Sequence, residues 1–192
     1  MAKLDVVPLT VDRWRDFERL FGRQGACYGC WCTYFRLAPK QRKANSSEDN
    51  KAFMRARIET GPPPGLLGYS DGEPVVWMQI GPRADIPEFN NPGRVSAPLP
   101  DGPADAAEIW AISCFFARRD LRGQGLSHQL VAAGIDHARR NGARLLEACP
   151  MDRSKQAQSV GLFVGSTSVF LKAGFEQVAL RKAGRPLMRC VL

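Results

Sequence analysis

The segment LRGQGLS, residues 121–127, combines an arginine with two glycines placed two positions apart. A glycine-rich turn that leads into a helix exposes backbone N–H groups at the helix N-terminus, where they can bind an anion. The segment lacks the lysine of the G-x-x-x-x-G-K-[ST] motif, and His128 stands where G-x-G-x-x-G needs its third glycine. The residues therefore predict an anion site of another kind, with a plain tight turn as the alternative.

A second candidate site is the segment CYGCWC, which places Cys27, Cys30 and Cys32 close together. Similar spacings occur in zinc sites and in redox-active pairs. A structural zinc needs four ligands, and the sequence offers no second pair with ligand spacing. We therefore interpret the segment as packed aromatic and thiol side chains and expect no metal.

Glu147 is unusual because it interrupts the apolar run LLEAC. A carboxylate at such a position either faces solvent at the sheet or lies in a pocket. Burial in a pocket would raise its pKa and suit a general base or a substrate anchor. The sequence leaves both alternatives open.

The composition is typical of a soluble globular protein, with 44% hydrophobic and 24% charged residues. Its length predicts one domain over residues 1–192. The net charge of +8 favours acidic partners, but no dense basic tract with interleaved aromatics indicates nucleic-acid binding. The N-terminal residues lack the apolar core of a signal peptide, and no apolar run is long enough to cross a membrane. We therefore expect a cytoplasmic protein with reduced thiols.

The elements of the first half are predicted from apolar periodicity and turn residues. A short strand over residues 4–9 precedes a helix over 11–21 that Thr10 caps. A second helix begins at Ser46 or Ser47 and ends at the TGPPPG segment. The runs GLLGYS and PVVWMQIG form a hairpin across a DG turn.

In the second half, the proline-rich segment 82–105 predicts a long surface loop. The run EIWAISCFFA, residues 108–117, predicts a strand buried on both faces. The glycine segment then leads into a helix that ends at Asn141 and Gly142 and carries His137 at the surface. A strand, a short helix and a final hairpin complete an α/β chain with a mixed sheet.

Three of these features together resemble the GNAT superfamily of N-acetyltransferases, and in particular bacterial members with a Cys/Trp-rich N-terminal segment. The loop of that family reads [RQ]-x-x-G-x-[GA] after its fourth strand; Arg122 and Gly125 match it, and Ser127 replaces the last small residue. The segment FLKAGF is similar to the helix-to-strand signature of the family, and the order of predicted elements agrees. The resemblance covers residues 4–192 and is strongest over 108–175. It implies a mostly antiparallel central sheet that splays between its fourth and fifth strands, with helices on both faces.

The resemblance implies that the bound anion is the pyrophosphate of acetyl-coenzyme A (acetyl-CoA), a co-substrate used without a metal. The glycine segment would hold the pyrophosphate through backbone N–H groups, with Arg122 nearby. The splayed end of the strand over 108–117 would bind the pantetheine arm. The implied cofactor-binding residues are Phe115, Phe116, Ala117, Arg122, Gly123, Gln124, Gly125, Leu126 and Ser127.

The resemblance also bears on proton transfer. The family often uses a tyrosine four residues before the glycine of its Gly-Phe pair, and Phe170 stands at that position without a hydroxyl. Glu108 opens the central strand, where some members place a general base, so Glu108 and Glu147 are the catalytic candidates. Other proton donors considered are Cys114, Ser166, Thr167 and Ser168. The predicted substrate pocket comprises Trp31, Tyr34 and Trp110.

The predicted function is transfer of acetyl from acetyl-CoA to a primary amine of a small molecule or peptide, directly in a ternary complex. The positive net charge disfavours a strongly cationic acceptor. One alternative, which Phe170 favours, is a catalytically silent acyl-CoA-binding or regulatory module with this fold. The other is a zinc- or redox-responsive protein that uses Cys27, Cys30 and Cys32. The sequence leaves the oligomeric state open, with a homodimer as one alternative, and predicts neither a nucleic-acid nor a membrane partner.

Overall fold

A computed structural model describes residues 3–152 and 163–192 of the chain. In this part, one sheet holds its strands in the order β1-β2-β3-β4-β5-β7-β6. Neighbouring strands are antiparallel except β4 and β5, which are parallel. The strands are β1 Asp5–Pro8, β2 Gly65–Ser70, β3 Glu73–Pro82, β4 Ile109–Ala117, β5 Leu145–Ala148, β6 Glu176–Leu180 and β7 Pro186–Val191. This mixed sheet confirms the predicted fold class.

Five α-helices accompany the sheet in the described residues: α1 Trp14–Phe21, α2 Pro39–Ala44, α3 Ser47–Thr60, α4 Leu126–Arg140 and α5 Thr167–Lys172. Alternate residues of β3 show that helices cover both faces. Met78 and Ile80 pack into one core with Leu130 of α4, whereas Trp77 packs into a second core with Phe17 of α1. No helix in the described ranges is long and apolar enough to cross a membrane.

The helix starts agree only in part with the sequence predictions. Ser46 caps α3 as predicted: its Oγ accepts a hydrogen bond from the Asp49 N–H at 3.1 Å, and the Asp49 carboxylate accepts from the Ser46 N–H at 2.8 Å. Thr10 does not cap a helix. Its hydroxyl instead accepts from the Arg13 guanidinium at 2.7 Å, and a 3₁₀ turn over Val11–Arg13 precedes α1.

The proline-rich segment 82–105 is not simply a surface loop, and that prediction was wrong. Ile86 and Phe89 are almost fully buried and pack with Ala111 and Leu187 against the face of the sheet that α1 also covers. These apolar residues are scattered among prolines without a periodic pattern, so the sequence did not reveal a packed face. The segment therefore packs on the sheet as part of the fold and is not an exposed loop.

His137 was predicted to lie at the surface, and this prediction was wrong, because the residue is only 8% exposed. Its ring packs edge-on against Trp110, with 5.7 Å between ring centroids. The apolar stripe of α4 also includes Gly134 and Ala138, and it is wide enough to bring His137 onto the sheet.

We expect His137 to make the protein less stable as the pH falls below neutrality. Burial, helped by the nearby Arg140, lowers the pKa of His137 below 6.5. The unfolded chain then binds a proton at this site at pH values where the folded protein does not, so stability is lost as the pH falls from about 6.5 toward the folded-state pKa. His137→Phe keeps a ring against Trp110 and should flatten the pH dependence of the unfolding free energy, measured with urea between pH 7 and 5.

His128→Gln is the matched control for this experiment, since it removes an exposed histidine from the same helix. An equal flattening in both variants would show that burial of His137 is not the cause.

Candidate functional site

The strands β4 and β5 separate halfway along their length. Their pairing runs only from Ile109 with Leu145 to Ile112 with Ala148. Beyond that point, residues 114–117 of β4 keep their pairing with β3, but residues 113–117 have no strand partner on the other side among the described residues. This open edge of β4 (residues 113–117) agrees with the predicted splay.

A β-bulge marks the start of the open edge. Ile112 pairs with Ile80 and Cys114 pairs with Gln79, so Ser113 is an extra residue in β4. The Ser113 side chain is fully buried, and its Oγ has no hydrogen-bond partner in the described part of the chain. Burial of a hydroxyl without a hydrogen-bond partner costs free energy, which indicates that a bound ligand supplies the missing partner.

A cavity of about 840 Å³ lies against this edge. Ser113, Cys114, Phe115 and Phe116 form one wall. The segments around residues 26–50 and 93–96 and the turn between β6 and β7 provide the other walls. The acceptor side of a transfer reaction could be accommodated here, because ligand pockets are of this size.

The glycine loop (residues 122–127) lies at the far end of the same edge. Gly123 and Gly125 have φ values of +79° and +78°, a region that favours glycine. Arg122 donates from Nε to the Ala117 carbonyl at 3.1 Å, which ties the loop to the end of β4. Helix α4 begins at Leu126, so the loop presents exposed backbone at a helix N-terminus.

The backbone of the open edge has one contact that the sequence did not predict. The Phe115 N–H donates a hydrogen bond to the Phe163 carbonyl. Any ligand that pairs with Phe115 must therefore replace Phe163.

Of the three predicted pocket aromatics, the structure places only Tyr34 in the cavity wall. Trp31 is 3% exposed, stacks on Trp14 and Phe21, and donates from Nε1 to Ser47 Oγ at 3.1 Å. These contacts hold α1 and α3 together, and Trp31 does not line the cavity.

Trp110, which was also predicted to line the pocket, lies outside the cavity. It precedes the bulge and packs with Ile112 in the core beneath α4, on the opposite face of the sheet.

Neither predicted catalytic glutamate lines the cavity. Glu108 lies at the opposite end of β4, where its carbonyl accepts from the Arg144 N–H at 2.8 Å. Glu147 is fully buried: one carboxylate oxygen accepts from Arg83 and the other from Arg189, whose Nη2 is 2.8 Å away. These contacts hold the proline-rich segment against the sheet, and they give no support to a role as a base.

Four thiols line the cavity: Cys27, Cys30, Cys32 and Cys114. Trp77 donates from Nε1 to Cys32 Sγ at 3.1 Å. The hydrogen bond with Cys32 and burial raise the pKa of Cys114 well above its ordinary value, which keeps this thiol protonated. Over the described ranges, no three His, Cys, Asp or Glu side chains are arranged to hold a metal ion.

Phe170 is fully buried behind the open edge, with its ring centroid 6.1 Å from that of Phe115. Among the hydroxyls considered as proton donors, Ser166 and Ser168 lie 3.2 Å apart and hydrogen-bond to each other. Thr167 Oγ1 is buried without a partner in the described residues, but Thr167 does not line the cavity.

Three residues that line the cavity could not be predicted from the sequence: Ser113, Arg42 and Arg94. Ser113 carries no signal, because a bulge is not visible in an apolar run. Arg42 and Arg94 lie in segments without a motif, and only the fold brings them together.

Comparison with known proteins identifies the family. The sequence model described as Acetyltransferase (GNAT) family matches residues 30–163. No curated protein matches the chain.

Solved structures share the fold at low sequence identity. A GCN5-related N-acetyltransferase from Kribbella flavida is 18% identical, with a TM-score of 0.57, and 98% of each chain is covered. PaiA N-acetyltransferase from Thermoplasma acidophilum, in complex with coenzyme A, is 9% identical, with a TM-score of 0.56 and 99% coverage of each chain. Ribosomal-protein-alanine N-acetyltransferase from Brucella melitensis is 17% identical, with a TM-score of 0.55, and the match covers 98% of this chain and 100% of that chain.

Proposed function

The chain belongs to the acetyltransferase (GNAT) family and is an N-acetyltransferase, and we propose that it transfers acetyl from acetyl-CoA to a primary amine by direct reaction in a ternary complex. The observation that carries the proposal is the open edge of β4. It runs from the glycine loop at the N-terminus of α4 to the cavity that would hold the acceptor. One continuous path would thus join the proposed anion site to the pocket.

The glycine loop would bind the pyrophosphate. The backbone N–H groups of Gln124, Gly125, Leu126 and Ser127 lie at a helix start, where the first N–H groups have no intrahelical partner. Arg122 is exposed beside them and adds a positive charge. The arrangement fits a doubly charged group without a metal.

The backbone of Phe115, Phe116 and Ala117 would bind the pantetheine arm. This requires the Phe163 carbonyl to release the Phe115 N–H. The exchange replaces one backbone hydrogen bond by another, so its cost is small.

The thioester would then lie beside Ser113 and Cys114. We assign Ser113 Oγ to a hydrogen bond with the reacting groups, because it is buried, unpartnered among the described residues and in the cavity wall. The Cys114 thiol is adjacent, but its raised pKa makes it a weak acid, so the departing thiolate would take its proton from solvent. The acceptor amine would lose its proton to solvent, since neither glutamate reaches the cavity.

The proposal is tested by calorimetric titration with acetyl-CoA, followed by thiol release over a panel of amines and amino acids. Binding with thiol release would support the enzyme. Binding without release by any amine would favour the silent module, which Phe170 in the tyrosine position keeps as the second candidate. Absence of binding would end the proposal.

Ser113→Ala should lower kcat/KM about tenfold or more, which is the value of one hydrogen bond to a partly charged group. The same change should leave stability unchanged or raise it, because it removes a buried hydroxyl without a partner in the described residues. Thiol-release kinetics and urea unfolding measure the two effects. Ser70→Ala, at the end of β2 and outside the cavity lining, is the control. Unchanged kinetics in Ser113→Ala would contradict the assignment.

The single domain over residues 1–192, the cytoplasmic location and the homodimer alternative stay predictions from the sequence.

A further inference from the structure

The charged side chains that line the cavity are all cationic among the residues that the structure describes. They are Arg42, Arg94, Lys182 and Arg185, and no aspartate or glutamate accompanies them in the lining. A pocket lined by charges of one sign raises the local concentration of ligands of the other sign. The cavity therefore disfavours a polycationic acceptor and favours an anionic one.

Arg42 and Arg94 are held in place by the same aromatic side chain. The guanidinium carbon of Arg42 lies 4.0 Å from the centroid of the Tyr34 ring, and that of Arg94 lies 5.2 Å from it. Arg42 also donates from Nη1 to the Tyr34 carbonyl at 2.8 Å. Stacking of this kind reduces the freedom that each arginine would lose when it binds a ligand.

Both arginines keep most of their hydrogen-bonding capacity. A guanidinium has five N–H donors. Within the described ranges, the carbonyl of Tyr34 is the one acceptor of Arg42, and the one acceptor of Arg94 is Glu88, at 3.4 Å. The Arg94 side chain is only 25% exposed, so its free donors gain from a ligand that replaces water.

The other two cations are less suited to this role. Arg185 directs its donors at the carbonyls of Cys149 and Pro150, at 3.1 and 3.2 Å. Lys182 is exposed on the turn between β6 and β7. Arg42 and Arg94 are therefore the pair that is held in place and keeps unused donors, although Arg94 also forms an ion pair with Glu88.

The position of the pair separates it from the pyrophosphate site. Arg42 and Arg94 line the cavity, whereas no residue of the glycine loop does. The pair is therefore available to the acceptor in the cavity.

We infer that the acceptor is an amine that also carries an oxyanion, a carboxylate or a phosphate, and that Arg42 and Arg94 bind this oxyanion while the amine points to the open edge of β4. The inference rests on the proposed function. It deepens that function by naming the class of acceptor.

The test compares amines that differ only in the anionic group. Amino acids are paired with their carboxamides, and O-phosphoethanolamine is paired with ethanolamine. We expect the anionic member of at least one series to react with a kcat/KM at least about tenfold higher, as a charge-assisted hydrogen bond predicts. A preference within the first series assigns a carboxylate, and a preference within the second assigns a phosphate.

Arg42→Gln and Arg94→Gln should each reduce this preference about tenfold by raising KM for the amine, with KM for acetyl-CoA unchanged. Arg139→Gln is the control, since it removes an exposed arginine of α4 that pairs with Asp136 outside the cavity. It should change neither KM for the amine nor KM for acetyl-CoA. A rise in KM for acetyl-CoA in the cavity variants would show that the pair serves the cofactor, and would overturn the inference.

Neutral amines that react as well as their anionic partners would also overturn the inference while leaving the proposed function intact. Absence of acetyl-CoA binding would instead refute the proposed function. If coenzyme A binds but no amine reacts, citrate is titrated into the coenzyme A-saturated protein by calorimetry. Binding that is lost in the Arg42→Gln, Arg94→Gln double variant supports an oxyanion site, and no binding to the wild-type protein overturns it.

Discussion

Gly125→Trp should weaken acetyl-CoA binding by about 100-fold or more. Gly125 adopts φ +78° at the start of α4, and a tryptophan there both strains the backbone and covers the N–H groups that we assign to the pyrophosphate. Each hydrogen bond to a charged group contributes about 1.5–3 kcal/mol. The loss of two such bonds therefore raises Kd by about 100-fold or more. Calorimetric titration of the variant with acetyl-CoA measures it.

Gly72→Trp is the matched control for the backbone strain. Gly72 also has φ +78°, but it lies in the turn between β2 and β3, where an added Cβ meets no atom within 4 Å. Both variants should lose a similar amount of stability, about 1 kcal/mol, while only Gly125→Trp loses affinity. An unchanged Kd in Gly125→Trp would mean that the pyrophosphate binds elsewhere.

The glycine loop could be predicted from sequence because its signal is local. Two glycines before an apolar stripe specify a turn into a helix, and the structure has both the positive φ values and a helix that begins at Leu126. The apolar run of β4 likewise predicted a buried strand, and the family resemblance predicted where β4 and β5 part. The loop and the strand depend on neighbouring residues in the chain, whereas the point of separation follows from the family resemblance.

The acceptor side could not be predicted in the same way, because it depends on which face a side chain occupies. Trp110 and Phe116 belong to one apolar strand, but the bulge at Ser113 shifts the alternation between them. Trp110 therefore lies under α4, whereas Phe116 lines the cavity. No residue type in the run indicates the insertion.

The arginine pair illustrates the same limit over a longer distance. Arg42 and Arg94 are separated by more than fifty residues and meet only at the ring of Tyr34. The tyrosine could be predicted from its aromatic segment, but Arg42 comes from α2 and Arg94 reaches the ring only because the proline-rich segment packs against the sheet. That packing depends in turn on the ion pair of Arg83 with Glu147.

Glu147→Leu should destabilise the protein by about 3–5 kcal/mol, the usual result of removing one partner from a buried ion pair. Arg83 and Glu147 are both fully buried, so the substitution leaves the Arg83 guanidinium without its counterion. Arg83 would keep its hydrogen bonds to Asn90 and to the Ser96 carbonyl, but these carry no negative charge. Urea unfolding of the purified variant measures the loss as a lower midpoint with an unchanged slope.

The double variant Arg83→Met, Glu147→Leu separates this role from catalysis. Replacing both charges with apolar side chains of similar size removes the uncompensated charge, so most of the lost stability should return. Arg189 keeps Asp101 as its partner, at 2.8 Å, in either variant. If Glu147 is structural, the double variant should also recover acetyl transfer. If Glu147 were instead the general base, the double variant would be stable but slower by about 100-fold or more, and Glu147→Leu would lose activity at temperatures where it is still folded.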